Sequence, residues 1–115
     1  MQEYDIKVTI EAIYDVVDIA QYIARDFSLE SAYRFRDEMA EQYRKIAYSP
    51  KSFMRTQIYY REYIIFRKVY APSLIFYYVD EKEKTVHILR VLRSERDWEK
   101  ILKSKDRYTY PDDEN

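Results

Sequence analysis

Hydrophobic and polar positions alternate at the start of the chain, where Ile6, Val8 and Ile10 are separated by Lys7 and Thr9. A period of two predicts a short half-buried strand. The period then lengthens. From Glu11 to Phe27 the residues Ala12, Ile13, Val16, Val17, Ala20, Ile23, Ala24 and Phe27 recur three and four apart, one apolar stripe along a helix that Thr9 is placed to cap. Ser28 is a second capping residue, and Ala32, Phe35, Met39, Tyr43 and Ile46 form the inward face of a helix from Leu29 to about Tyr48, stopped by Ser49-Pro50. So short a junction makes the two helices antiparallel neighbours. Glu30/Arg34, Arg34/Glu38 and Glu41/Lys45 stand four apart on the outer face, each pair adding a few tenths of a kcal/mol to an isolated helix.

Beyond Pro50 the pattern changes again. Residues 51 to 57 have no clear period and suit a connecting loop, after which the chain becomes rich in Tyr, Ile, Val and Phe. Three strands are predicted: Ile58 to Tyr70, Ser73 to Val79 and Thr85 to Leu92. Ala71-Pro72 separates the first two, and Asp80 to Lys84 makes a hairpin between the last two. Val86, Ile88 and Leu92 alternate with His87, Leu89 and Val91, so the last strand is apolar on both faces and belongs near the sheet centre. The chain has no glycine, so each turn must avoid positive φ or impose it on a residue with a side chain. A short final helix from Glu95 to Lys103 turns Trp98, Ile101 and Leu102 inward, and the polar, acidic residues 104 to 115 are expected to be a mobile tail. The whole is an α+β domain over residues 1 to 103: a strand, an antiparallel helical hairpin, a three-stranded antiparallel run completing a mainly antiparallel sheet, and a short C-terminal helix.

Composition narrows the functional classes. With 115 residues there is room for one core but not for separate cofactor and substrate domains. The chain lacks cysteine, which excludes disulfides and thiolate metal sites and fits a reducing compartment. No uncharged run is long enough to span a bilayer and the acidic N-terminal residues do not resemble a signal peptide, so a cytoplasmic protein without membrane contact is expected. Charge is uneven. Residues 11 to 49 hold five Arg/Lys against eight Asp/Glu, whereas residues 51 to 103 hold twelve against seven, so an anionic partner would meet the sheet side.

The candidate chemistry is cationic and aromatic, with no cofactor and no metal expected. Arg67 and Lys68 lie on the first long strand, and Arg90, Arg93 and Arg96 on and after the last; such a set could hold RNA phosphates or an acidic protein. Arg90 interrupts an apolar strand and requires either a carboxylate partner or an opening onto a binding surface. His87 is the only histidine, which excludes a histidine pair and reads first as a packed residue. Tyr59, Tyr60, Tyr63, Tyr77 and Tyr78 read as amphipathic sheet residues, or alternatively as part of a protein-binding groove.

The landmarks YDIKVT, DVVDIAQYIARDFSLESAYRFRDEM, FYYVDEKEKTVHILRVL and RDW, in that order, make residues 4 to 103 resemble the RelE/ParE superfamily of toxins from bacterial type II toxin-antitoxin pairs. The long helical hairpin places the chain nearer the gyrase-directed ParE branch than the ribosome-dependent RelE ribonucleases. The resemblance implies a cognate antitoxin that wraps the toxin, a host target such as DNA gyrase, and a toxin-antitoxin hetero-oligomer, with a homodimer also open. The ribonuclease branch would instead act on mRNA at the ribosome, using cations with Tyr or His to stabilise charge and move protons. Two positions depart from that branch: Ser73 stands where an arginine often opens the strand, and Arg93 where a histidine is frequent. If the chain were a nuclease, Arg67, Lys68, Arg90, Arg93 and Arg96 would be its catalytic candidates. A non-toxic relative that only binds an antitoxin-like peptide is the third reading.

Overall fold

Thr9 joins the first strand to the first helix and both to the sheet. In the computed structural model, which describes residues 3–114, strand β1 (Asp5–Val8) is followed by helix α1 (Ile10–Asp26). The buried Thr9 hydroxyl accepts from the amide of Ala12 at 2.9 Å and donates to the Leu89 carbonyl at 2.7 Å. One side chain thus caps a helix and ties it to a strand eighty residues away. Ser28 caps helix α2 (Leu29–Tyr48) by accepting from the Ser31 amide at 3.0 Å, and with only Phe27 and Ser28 between them α1 and α2 pack as a hairpin.

The two helices differ in how well their stripes anticipate burial. Along α2, Ala32, Phe35, Met39 and Ile46 are buried as expected. Along α1 the inward face is displaced. Ala12, Ala20 and Ile23 are buried together with Ile19 and Asp15, while Ile13, Val17 and Phe27 stay 41%, 43% and 70% exposed. Of the charged pairs, Glu30–Arg34 forms at 3.4 Å, but Glu41 meets Arg44 at 3.5 Å and Glu38 accepts the Tyr70 hydroxyl at 2.6 Å.

The sheet has one strand more than the residue pattern predicts. The stretch from Ile58 to Tyr70 is two strands, β2 (Met54–Tyr60) and β3 (Tyr63–Tyr70), because the chain reverses at Arg61 and Glu62 with Arg61 at φ 56°. Neither residue is a usual turn former, so the reversal carried no local signal. The expected loop before it contains a 3₁₀ turn at Pro50–Ser52 and the start of β2. Strands β4 (Ser73–Asp80) and β5 (Thr85–Arg93) follow as predicted, their hairpin closing with Lys84 at φ 49° and the Asp80 carboxylate accepting from the Glu83 amide at 3.1 Å. The strand order is β1-β5-β4-β3-β2. All neighbours are antiparallel except β1 and β5, which are parallel, the helical hairpin carrying the chain from β1 to β2 at the opposite edge before β3, β4 and β5 return it.

Both faces of the sheet are covered, which explains the doubly apolar strands. One face buries Phe66, Ile75, Tyr77, Val79, Val86, Ile88 and Val91 against the helical hairpin. The opposite face buries Ile58, Ile65, Leu74, Phe76, Leu89 and Leu92, and its cover includes Leu102 of helix α3 (Trp98–Lys103) and Tyr108. That helix begins later than expected because Asp97 caps it, accepting from the Lys100 amide at 3.3 Å. The tail expected beyond residue 103 does not leave the domain there. Tyr108 is only 4% exposed, the Ile10 amide donates to the Thr109 carbonyl at 2.8 Å, and the Thr109 amide donates to Glu11 at 3.0 Å. An aromatic residue in a polar segment was enough to bring it back onto apolar surface.

Candidate functional site

Arg90 has the partner that its apolar surroundings demand. Between Phe76 and Tyr77 the register of β4 and β5 shifts, Phe76 pairing with Arg90 and Tyr77 with Ile88, so Leu89 is the extra residue of a bulge. Bulges re-aim side chains. Here the irregularity sits beside Thr9, which holds the Leu89 carbonyl, and Arg90 reaches α1. Its Nε and Nη2 donate to the two oxygens of Asp15 at 2.7 and 2.8 Å, and Asp15 also accepts from the Val91 amide at 3.0 Å. The bond to the Asp15 carboxylate outweighs burial and raises the Arg90 guanidinium further above its ordinary range. A bidentate pair of this kind orients both groups. Asp15 itself was missed in the sequence, although it lies three residues from Ala12 and four from Ile19, within the buried stripe of α1.

The other four cations have separate surroundings. Arg67 lies 5.6 Å over the Trp98 ring and contacts the Met54 sulfur. Its neighbour Lys68 sits 5.3 Å over Phe53 and donates to Gln42 of α2, so consecutive positions on β3 serve opposite sheet faces. Burial, helped by the charge of Lys45, lowers the Lys68 ammonium below its ordinary range. Arg93 packs 3.6 Å over the Tyr22 ring of α1 and pairs with Glu95. Arg96 follows on the exposed turn before α3. No two of the five share a partner in these contacts, although Arg67 and Arg90 both stand in register with Phe76.

Ser73, at the position where the ribonuclease branch often has an arginine, is fully buried and donates to the Tyr70 carbonyl at 2.7 Å. His87 is stacked parallel on Tyr78 at 4.5 Å, with Nδ1 2.6 Å from the Tyr110 hydroxyl. Tyr63 continues the stack, 4.3 Å from Tyr78. Tyr77 is buried under the helices and donates to the Pro50 carbonyl at 2.6 Å, Tyr60 packs into the opposite face, and Tyr59 is 63% exposed. Four of these five tyrosines are therefore packed or stacked within the sheet.

An open apolar groove lies on the helical hairpin, about 410 Å³ in volume and lined by Val8, Ile13 and Val17, by Met39 and Tyr43 of α2, and by Arg36. Ile13 and Val17, expected to face the core, face this groove. It meets a second cleft of about 390 Å³, which shares Val8 and Ile13 and extends to His87 and Tyr110. Among the described residues no three of His, Cys, Asp and Glu are placed to hold a metal ion, and no helix is long and apolar enough to cross a membrane.

The arrangement defines a small α+β domain with a helical hairpin across one face of a mixed sheet and an exposed apolar groove along the hairpin. The same fold is found in a chain of the chromosomal ParDE toxin-antitoxin system from P. aeruginosa, with a TM-score of 0.67 over 81% of this chain and 98% of that one, at 18% sequence identity. The chain belongs to the ParE toxin family of type II toxin-antitoxin systems, whose family model, described as ParE toxin of type II toxin-antitoxin system, parDE, matches residues 6–98. No curated protein matches the chain.

Proposed function

We propose that the chain is the toxin of a type II pair, acting in the cytoplasm on a host protein and held inactive by a cognate antitoxin. DNA gyrase is the target that the ParE branch suggests. The observation that supports a protein target over RNA cleavage is the engagement of four of the five cations by different neighbours. Arg90 is committed to Asp15, Arg93 to Tyr22 and Glu95, and Arg67 and Lys68 to separate neighbours. Cleavage of a phosphodiester needs several such groups directed at the same phosphate. The antitoxin is assigned to the hairpin groove, where an amphipathic segment would cover Ile13 and Val17 and place a carboxylate near Arg36. The complex is then a toxin-antitoxin hetero-oligomer.

The test is the timing of macromolecular synthesis after the chain is induced in a bacterial host without antitoxin. Pulse-labelled DNA synthesis is expected to stop before protein synthesis. An immediate halt in protein synthesis would instead identify a ribosome-dependent ribonuclease, and no effect on either would leave a non-toxic relative.

A further inference from the structure

The segment after α3 is held by two sets of contacts, one at each end of a short path across the sheet. At the first turn of α1, Lys105 pairs with Glu11 at 3.2 Å, the Thr109 carbonyl accepts from the Ile10 amide, and the Thr109 amide donates to the Glu11 carboxylate. The Ile10 amide is one of the donors that a helix N-terminus leaves without an intrahelical acceptor, so Thr109 supplies what the helix lacks. Between these contacts Tyr108 inserts into the sheet face with its ring 5.1 Å from Tyr60. Tyr110 then closes over His87, its ring edge-on at 78°. The family match ends at residue 98, so the segment itself lies outside the matched part of the chain and the residues that hold it lie within.

We propose that residues 105–112 form a proton-operated latch, held across the sheet while His87 is neutral and released when its imidazole is protonated. The ring lies between Tyr78 and Tyr110, where neutral imidazole stacks well and an imidazolium loses hydration. The charged groups facing it act in both directions. Lys7 on β1 opposes protonation and Asp80 on β4 favours it, while Asp112 lines the same cleft. Burial, assisted by Lys7, keeps the His87 imidazole below its ordinary range. When Tyr110 leaves, the ring regains water and its ordinary affinity for a proton.

Linkage then sets the sign. A folded-state affinity below the open-state value means that acid favours the open form. With an ordinary histidine value of about 6.5 in the open form, tenfold is roughly the ceiling on what the open form gains at pH 5.5 over neutral pH, reached only if the closed form does not protonate at all. At the other end of the latch, burial pushes the Glu11 carboxyl up, but the Thr109 amide, its own amide and Lys105 together hold it below its usual range. Glu11 therefore stays charged through this interval, and the contacts at α1 persist until the segment itself moves. Opening uncovers Tyr60, Tyr78 and the first amides of α1.

The experiment is amide hydrogen exchange on the full chain, expressed as protection factors so that the pH dependence of intrinsic exchange cancels. Protection at Ile10 and Thr109 is expected to fall severalfold, with about tenfold the ceiling, between pH 7.5 and 5.5 while the amides of β4 keep theirs. His87→Gln is expected to flatten that dependence. Tyr110→Phe, which keeps the ring and removes the hydroxyl, is expected to lower protection at Ile10 about fivefold at pH 7.5, with β4 unchanged. Protection at Ile10 and Thr109 that does not change with pH in the unmodified chain, or the same acid-dependent fall in His87→Gln, would overturn the latch.

Discussion

Asp15, in the middle of α1, holds Arg90 of β5 through two parallel hydrogen bonds of 2.7 and 2.8 Å and the next amide of the same strand through a third. The pair lies beside the bulge of the β4–β5 ladder and past the end of the β1–β5 pairing at Val8 and Ile88, so the carboxylate accepts from a β5 amide beyond the reach of β1. Removing Asp15 would leave both a guanidinium and an amide without partners in a mostly dehydrated site. Asp15→Ala is expected to cost about 3 kcal/mol in urea unfolding. The double variant Asp15→Leu with Arg90→Met should lose less, because no buried charge is stranded. A single-variant loss below about 1 kcal/mol would show that the pair is solvated and structurally idle.

Thr9 offers a separate test of the same junction. Thr9→Val keeps the volume and removes both the cap on Ala12 and the bond to Leu89, with an expected loss of about 2 kcal/mol. Thr9→Ser, which keeps the hydroxyl and loses the methyl, should recover most of it, and a Thr9→Val loss no larger than that of Thr9→Ser would show that the two bonds contribute no more than the methyl group does.

The reversals at Arg61 and Lys84 place residues with side chains at φ 56° and 49° in a chain without glycine. Arg61→Gly should therefore raise stability, by up to about 1 kcal/mol, against the greater freedom that glycine gives the unfolded chain. Lys84→Gly should gain less, since Lys84 also pairs with Glu81 and lies over Tyr4. Comparing urea midpoints of the two variants would decide whether left-handed strain or the lost contacts dominate.

Alkaline pH should act through buried phenols. Burial pushes Tyr78 and Tyr108 up to about 12, and burial together with the Glu38 carboxylate does the same for Tyr70. Tyrosines of the unfolded chain ionise near about 10. The contribution of these phenols is thus constant below about pH 10 and is lost as pH rises from there toward 12, because the unfolded chain then binds fewer protons. Ultraviolet titration of the folded protein should show a late-ionising group of tyrosines; a single transition near 10 would contradict the burial.

The groove assigned to the antitoxin makes a functional prediction that stability measurements can separate from misfolding. Val17 is 43% exposed, so Val17→Asp should leave the melting temperature nearly unchanged. It should weaken neutralisation by the antitoxin at least tenfold, measured as titration of growth arrest, by placing a charge in an apolar contact. Retained neutralisation would move the partner to another face.

Periodicity along the chain was sufficient for the element types, since a stripe at three and four or an alternation at two is itself the condition for burying one side of a helix or strand. It determined the helical hairpin, both of its caps, the hairpin from β4 to β5 and the position of β5 inside the sheet. The order of those elements also carried the family resemblance. What local pattern could not contain was any choice made by distant residues. The break at Arg61 exists because β2 and β3 must pair; Asp15 became the partner of Arg90 only when α1 was laid on β5; and Tyr108 returned the C-terminal segment to a sheet face formed by residues up to fifty positions earlier. The five cations make the same point for function: they were close in sequence pattern and similar in chemistry. Which neighbours Arg67, Lys68, Arg90 and Arg93 each found was decided by strand alternation and the bulge at Leu89, which are properties of the packed chain.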